Sequence, residues 1–273
     1  MLWEEIVNNG KIKNLKAHQN FQEEMQKTIL AYLSQEGVFN DIVFQGGTSL
    51  RFFYENPRFS EDLDFVLKQG KNIFDLMQKV NKIKKYIINV FPFLEEIKID
   101  TQKNDRQMQR LIFKTISDLP DQKLRIHIEL AYIPSYHNQP RILNYPPLNP
   151  AIRVEEPSEI LADKITAIGL RSYLKGRDIW DIYFLTVEKQ ISVPWNLVFQ
   201  KSKDYNSTPQ KIKEKLLNSS KKIRKEGNLI LSNEMKRFLP KTLLEQYEET
   251  FTKIVDHVAD ITDNVKNGEK SES

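Results

Sequence analysis

Asp62 and Asp64 stand two residues apart in Glu61-Asp62-Leu63-Asp64-Phe65, downstream of Gly46-Gly47-Thr48-Ser49, with Arg58 between. Two carboxylates at i and i+2 of a strand project from one face, where together they can hold hard divalent cations through oxygen. A glycine turn that opens a helix leaves backbone N–H groups at the helix N-terminus. That is a cradle for phosphates, with the Thr48 and Ser49 hydroxyls as added donors. Taken separately, each half has a plainer reading: glycines turn a chain, and Asp-x-Asp can decorate a solvated strand. Joined in one strand–helix–strand unit, they point to metal-assisted chemistry on a phosphorylated substrate.

The elements needed to position these groups are visible around them. Leu15, Phe21, Met25, Ile29 and Leu33 recur at helical spacing from about Asn14 to Leu33, and Asp41-Ile42-Val43-Phe44 reads as a short buried strand. Gly46-Gly47 ends that strand, and a helix from Thr48 to Tyr54 is terminated by Asn56-Pro57. From Asp62 toward Leu67 the polar and apolar residues alternate until Val66, so the two aspartates share one face while Leu63, Phe65 and Leu67 enter the core. A helix is predicted over Ile73 to Phe91, and strands over Glu96 to Thr101, Arg110 to Ile116 and Lys123 to Ala131. The prolines between Pro134 and Pro157 predict an irregular crossing, beyond which every periodic segment is helical. The boundary between two domains, 1–150 and 151–273, is placed there, and the polar tail from about 267 is expected to be disordered.

Composition narrows the chemistry. None of the 273 residues is cysteine, and the four histidines are scattered, so thiolate chemistry and a zinc-ligand cluster are excluded and any metal must sit on oxygen. No apolar run approaches the roughly 20 residues that cross a bilayer, and the N-terminus does not read as a secretory signal; a cytoplasmic protein with no membrane partner is expected. The net charge of +4 does not imply a wholesale nucleic-acid coat. Locally, however, residues 191–240 hold eleven basic against four acidic side chains, with Trp195, Phe199 and Tyr205 at the start. Such a segment suits RNA, and equally a solvated lysine-rich helix face.

The run GGTSLRFFYENPRFSEDLDF resembles the first motif of DNA-polymerase-β-type nucleotidyltransferases, specifically of the AbiEii/AbiGii-like toxin family. A second stretch, EEPSEILADKITAIGLRSYLKGRDIWDIYFL, is similar to the family's downstream Lys…Arg and Arg-Asp-x-x-Asp segment. The resemblance covers roughly residues 42 to 185. Where the wider superfamily has Gly-Ser, this chain has Gly47-Thr48 with Ser49 one place later, so either hydroxyl is a candidate for phosphate. The fold implied is α+β: a nucleotidyltransferase domain with a small mixed sheet flanked by helices, then a mostly α-helical bundle that closes the active-site cleft. The chemistry implied is attack of an acceptor hydroxyl on the α-phosphate of a nucleoside triphosphate, with Asp62 and Asp64 holding Mg²⁺ or Mn²⁺. The acceptor would be RNA such as tRNA, or a protein. A toxin role with a cognate antitoxin follows from the family.

Family members usually carry a third carboxylate on a neighbouring strand, as base or metal ligand. Glu129 is the candidate here, its side chain opposite to the core set Leu124, Ile126, Ile128 and Leu130; the alternative is a solvated cross-strand partner of Arg125 or a lysine. Further on, Ile160, Lys164, Ala167, Ile168 and Arg171 share one helix face. Cations in an apolar stripe call for an anionic ligand, and triphosphate binding by Lys164 is the reading the resemblance favours. Without it, ion pairs from Lys164 and Arg171 to Asp178 or Asp181 on the following helix explain the same residues. With it, Asp178 and Asp181 become candidates for orienting Lys164 or holding ribose and base. Two other readings remain: a silent nucleotidyltransferase-fold interaction module, against which the retention of both Asp62 and Asp64 argues, and a basic RNA-binding protein, supported only by the segment 191–240 and excluded by any nucleotide hydrolysis or transfer.

Overall fold

A computed structural model describes residues 1–266, and the predicted polar tail from about 267 lies outside them. By their internal contacts these residues form two units: Met1–Glu55 with Phe59–Glu155, and Asn56–Arg58 with Glu156 onward.

The first unit is built on a seven-stranded mixed sheet. In chain order it contains helices α1 (Trp3–Ile12) and α2 (Ala17–Gln35), strand β1 (Ile42–Gln45), helix α3 (Gly46–Phe53), strand β2 (Leu63–Lys68) and helix α4 (Val80–Val90). Strands β3 (Glu96–Asn104), β4 (Met108–Ile116), β5 (Arg125–Ser135), β6 (Asn138–Ile142) and β7 (Ala151–Glu155) follow. The strand order is β3-β4-β5-β2-β1-β7-β6. β2 runs antiparallel to β1 on one side and parallel to β5 on the other. Ile126, Ile128 and Leu130 of β5 and Leu63, Phe65 and Leu67 of β2 are buried, as their two-residue period requires. An aromatic cluster of Trp3, Phe21, Phe91 and Phe93 packs edge-on or tilted where α1, α2 and the end of α4 meet.

Three elements differ from the sequence expectation. The stretch from Pro134 to Pro157 is not irregular, because β6 and β7 pair antiparallel within it and β7 joins β1. Pro140 is tolerated since β6 is an edge strand, where a missing N–H breaks no inner ladder. A helix, α1, precedes the first periodic stretch. The helix predicted over Ile73 to Phe91 begins only at Val80, after a 3₁₀ turn that Asp75 starts by accepting the Met77 N–H.

The second unit is helical: α5 (Pro157–Leu170), α6 (Gly176–Tyr183), α7 (Trp195–Asp204), α8 (Pro209–Phe238), α9 (Lys241–Tyr247) and α10 (Phe251–Asp263). α8 is the long central member. Thr208 caps it, accepting from the Lys211 N–H, and Pro209 takes the first helical position, where no N–H is needed. Ile212, Leu216, Ile223, Leu231 and Met235 form its buried stripe. α6 meets α8 backbone to backbone, because a methyl group on Gly176 would lie 2.8 Å from the Ile230 carbonyl oxygen and 2.9 Å from Leu231 Cα. No helix among the described residues is long and apolar enough to cross a membrane.

The Gly176 contact gives the first test. Gly176→Ala forces two helix backbones apart and should lower the unfolding free energy by about 1–3 kcal/mol, the usual cost of overpacking. Urea denaturation measures it; an unchanged midpoint would show that the crossing yields freely.

Candidate active site

In the first unit, the sheet register assembles the candidate carboxylates. Asp64 is paired with Gln45 of β1 and with Glu129 of β5, and Glu129 is paired with Arg110 of β4. Residues in register on adjacent strands point to the same face, so Gln45, Asp64, Glu129 and Arg110 form one row across four strands. Asp62 stands two residues before Asp64, just ahead of the first residue of β2. All three acids are half-buried. Glu129 does have a cross-strand partner, but it is Arg110 and neither Arg125 nor a lysine: both Nε, at 2.7 Å, and Nη2, at 2.5 Å, reach Glu129 Oε2.

The glycine turn fits around Asp64. Gly46 has φ +81°, which L side chains rarely adopt, and a methyl group there would lie 2.7 Å from Asp64 Oδ2. Glycine is therefore required twice at this position, by its conformation and by the nearness of the carboxylate. α3 begins at Gly46 itself, so the N–H groups of Gly46, Gly47 and Thr48 lack intrahelical acceptors. The two hydroxyls are placed differently from the N–H groups: Ser49 donates to the Gly46 carbonyl at 2.8 Å and Thr48 donates to the Asp62 carbonyl. Each hydroxyl's single proton is thereby used inside the protein, and the remaining donors of the turn are backbone N–H groups. Asp62, Asp64 and Glu129 offer oxygen donors, which suit a hard divalent cation, and Gly46 leaves beside Asp64 the space a side chain would fill.

In the second unit, Arg58, Lys164, Arg171, Asp178 and Asp181 form one network. Arg58 donates from Nε and Nη2 to the two oxygens of Asp181, each at 2.6 Å, with the two side chains 2% and 0% exposed. Asn56 donates to Asp181 at 2.9 Å and accepts from Trp180 Nε1 at 3.0 Å. The Lys164 ammonium lies 2.9 Å from both Asp178 and Asp181, and Arg171 closes on Asp178. Arg171 is the C-cap of α5 and is extended, which returns its guanidinium to α6. Burial alone would raise both aspartate pKa values. The adjacent cations outweigh it, Arg58 and Lys164 at Asp181 and Lys164 and Arg171 at Asp178, so both carboxyls are held below their ordinary range. Burial would likewise lower Lys164, but the two aspartates raise it. Two carboxylates use two of the ammonium's three N–H donors and leave one for a third acceptor.

The basic segment 191–240 is less free than its charge suggests. Lys201 is fully buried, 2.5 Å from Glu159 and 3.2 Å from Asp163. Arg224 reaches Asp260 at 2.7 Å and Asp263 at 2.8 Å on α10, and Lys222 donates to the Ser172 carbonyl. Lys211, Lys221, Lys225, Lys236 and Arg237 of α8 stay exposed.

Comparison with known proteins identifies a nucleotidyltransferase. Residues 28–257 match the family described as nucleotidyl transferase AbiEii toxin, type IV TA system, and the chain belongs to that family. No curated protein sequence matches it. Among solved structures, JHP933 from Helicobacter pylori superposes with a TM-score of 0.54 at 19% identity, over 92% of this chain and 94% of that one. MenT4, a nucleotidyltransferase toxin from Mycobacterium tuberculosis, superposes with a TM-score of 0.52 at 15% identity, over 98% of each chain. At those identities the likeness is one of fold.

Arg110, Asn56 and Trp180 escaped the sequence reading. The signal for Asn56 was its place in the Asn56-Pro57-Arg58 loop, which reads from sequence as a helix stop; Arg110 offers none before the β4–β5 register is known.

The network's stability has a defined sign. Asp181→Asn leaves Arg58 buried without its counter-charge and should cost about 3–5 kcal/mol near neutral pH. In the wild type a depressed Asp181 pKa contributes fully above about pH 4, where the unfolded carboxylate ionises. That contribution fades as pH falls toward the folded value, so the variant should lose part of the acid-side slope of stability against pH. Denaturation series from pH 7 to pH 3 check this; equal stability of the two proteins at pH 7 would contradict it.

Proposed function

We propose that this nucleotidyltransferase transfers a nucleoside monophosphate from a nucleoside triphosphate to an acceptor hydroxyl, with pyrophosphate as leaving group. The observation that supports the reading is the pairing of Asp64 with Glu129 on one sheet face beside the glycine-started helix α3, with Asp62 two residues ahead of Asp64. Mg²⁺ or Mn²⁺, held by Asp62 and Asp64, would supply neutralisation of the charge that develops on the phosphates. Backbone N–H groups of Gly46, Gly47 and Thr48 cradle the phosphates. The row places Glu129 next to Asp64, where it takes the acceptor's proton or completes the oxygen ligand set; Arg110 keeps its carboxylate turned along the row. The acceptor oxygen attacks the α-phosphorus as the bond to the bridging oxygen breaks.

Lys164 is assigned to the triphosphate, through the N–H that Asp178 and Asp181 do not use, with Arg171 as a second cation of the nucleotide-binding set. Asp178 and Asp181 hold these cations in place, and Arg58 fixes Asp181. As an AbiEii toxin the protein would act in the cytoplasm and be countered by a cognate antitoxin. RNA such as tRNA is the acceptor that the exposed lysines of α8 favour, with a protein hydroxyl as the second choice.

Incubation with each labelled nucleoside triphosphate, Mg²⁺ and a cell extract, followed by separation of RNA from protein, identifies donor and acceptor together. Asp62→Asn and Asp64→Asn should each reduce labelling by at least about 1,000-fold, on the scale of losing electrostatic stabilisation at a reacting phosphate, while melting as the wild type does. Wild-type labelling by either variant would overturn the assignment.

A further inference from the structure

The chain enters β2 through backbone without regular structure, and Asp62 lies at the end of that stretch. Its carbonyl groups find side-chain donors instead of strand partners. Three successive carbonyls are held in this way: Ser60 accepts from Gln26 Nε2 at 3.1 Å, Glu61 accepts from Gln22 Nε2 at 3.3 Å, and Asp62 accepts from the Thr48 hydroxyl. Gln22 and Gln26 are one turn apart on α2, so their amides leave the helix in parallel. They are 7% and 0% exposed. Thr48 comes from a different helix, α3, and the two helices are joined by an ion pair of 2.9 Å between Glu23 and Arg51.

We propose that Gln22 and Gln26 are positioning residues for Asp62, which they fix through the peptide groups of residues 60 and 61. The proposal rests on the reading of Asp62 as a metal ligand. Within a strand, the two-residue period would keep Asp62 beside Asp64, but Asp62 precedes the strand and receives no such guarantee. Rotation about the peptides of residues 60 to 62 would swing its carboxylate off the sheet face. A row of three donors, two from α2 and one from α3, removes that rotation. It also couples Asp62 to the helix that starts at Gly46, so phosphate cradle and carboxylate pair keep one relative placement. A purely structural role would satisfy the same carbonyls; it would not make cation affinity depend on the amides.

Mn²⁺ binding to the full chain, followed by loss of the free-ion signal in electron paramagnetic resonance, separates the two. Gln22→Met and Gln26→Met keep side-chain volume and remove the donors. The double variant should unfold cooperatively yet bind Mn²⁺ about 10–100-fold more weakly, the usual loss when an outer partner of a metal ligand is removed. Thr48→Val should weaken binding in the same sense, and Thr48→Ser, which retains the hydroxyl, should restore it. A folded double variant with wild-type Mn²⁺ affinity overturns the proposal. If Gln26→Met does not fold, Gln22→Met and the two Thr48 variants carry the test, and wild-type affinity in Gln22→Met and Thr48→Val overturns it equally. Asp62→Asn distinguishes the two levels. If it binds Mn²⁺ as the wild type does, the metal reading itself has failed and the proposal with it. If it loses Mn²⁺ while the glutamine variants do not, only the positioning role is lost.

Discussion

The pairing of β2 between β1 and β5 is the constraint on which the first unit depends. One register puts Asp64 beside Glu129, and a slip of β2 by a single residue would send Asp64 into the core and bring Leu63 to the surface. Burial of the apolar side chains therefore sets the polar row. The same register brings the start of α3 against Asp64, and that approach dictates glycine at position 46. Hydrophobic alternation, strand pairing and glycine placement are in this sense one requirement seen at three levels.

The second unit depends on a different interaction, the buried pair of Arg58 and Asp181. An isolated buried ion pair tends to cost about as much in desolvation as it returns. Here the geometry is bidentate, and Asn56 and Lys164 satisfy further lone pairs of Asp181, so the network is closed on the carboxylate side. The loop Asn56–Arg58, which lies between α3 and Asp62 in the chain, groups with the helical unit for this reason. Its sequence neighbours belong to the sheet unit.

Much of this was readable in the sequence, for physical reasons that also mark where the reading stopped. β2 and β5 were visible because their core-facing residues alternate, and α3 because a glycine turn opens it and Asn56-Pro57 follows its end. The alternation of Ile152 and Val154 carried the same information for β7, but the surrounding prolines outweighed it; an edge strand such as β6 accepts proline, and no periodic signal announces an edge. α1 lay outside any apolar stripe long enough to count, since only Ile6 and Gly10 are buried in it. For the site, Asp62, Asp64, Glu129 and the five ionic residues of the second unit were all named from spacing and resemblance. What spacing could not show is which partner each would take. Lys164 and Arg171 do form the ion pairs that the plainer reading offered, and whether Lys164 also meets triphosphate depends on the donor it has left over. Thr48 was named as a phosphate donor, but its hold on the Asp62 carbonyl was not foreseen, because that role is set by irregular structure, which has no period.

Nucleotidyl transfer at the row of carboxylates beside α3 is the step on which the proposed function stands. It is tested most directly by parallel reactions with nucleoside triphosphate labelled at the α- or the γ-phosphorus, with acceptor and pyrophosphate both measured. Nucleotidyl transfer puts the α-label in the acceptor and the γ-label in pyrophosphate, in equal amounts. Transfer of the γ-label to the acceptor, or its release as single phosphate while the α-label stays on nucleotide, would contradict it.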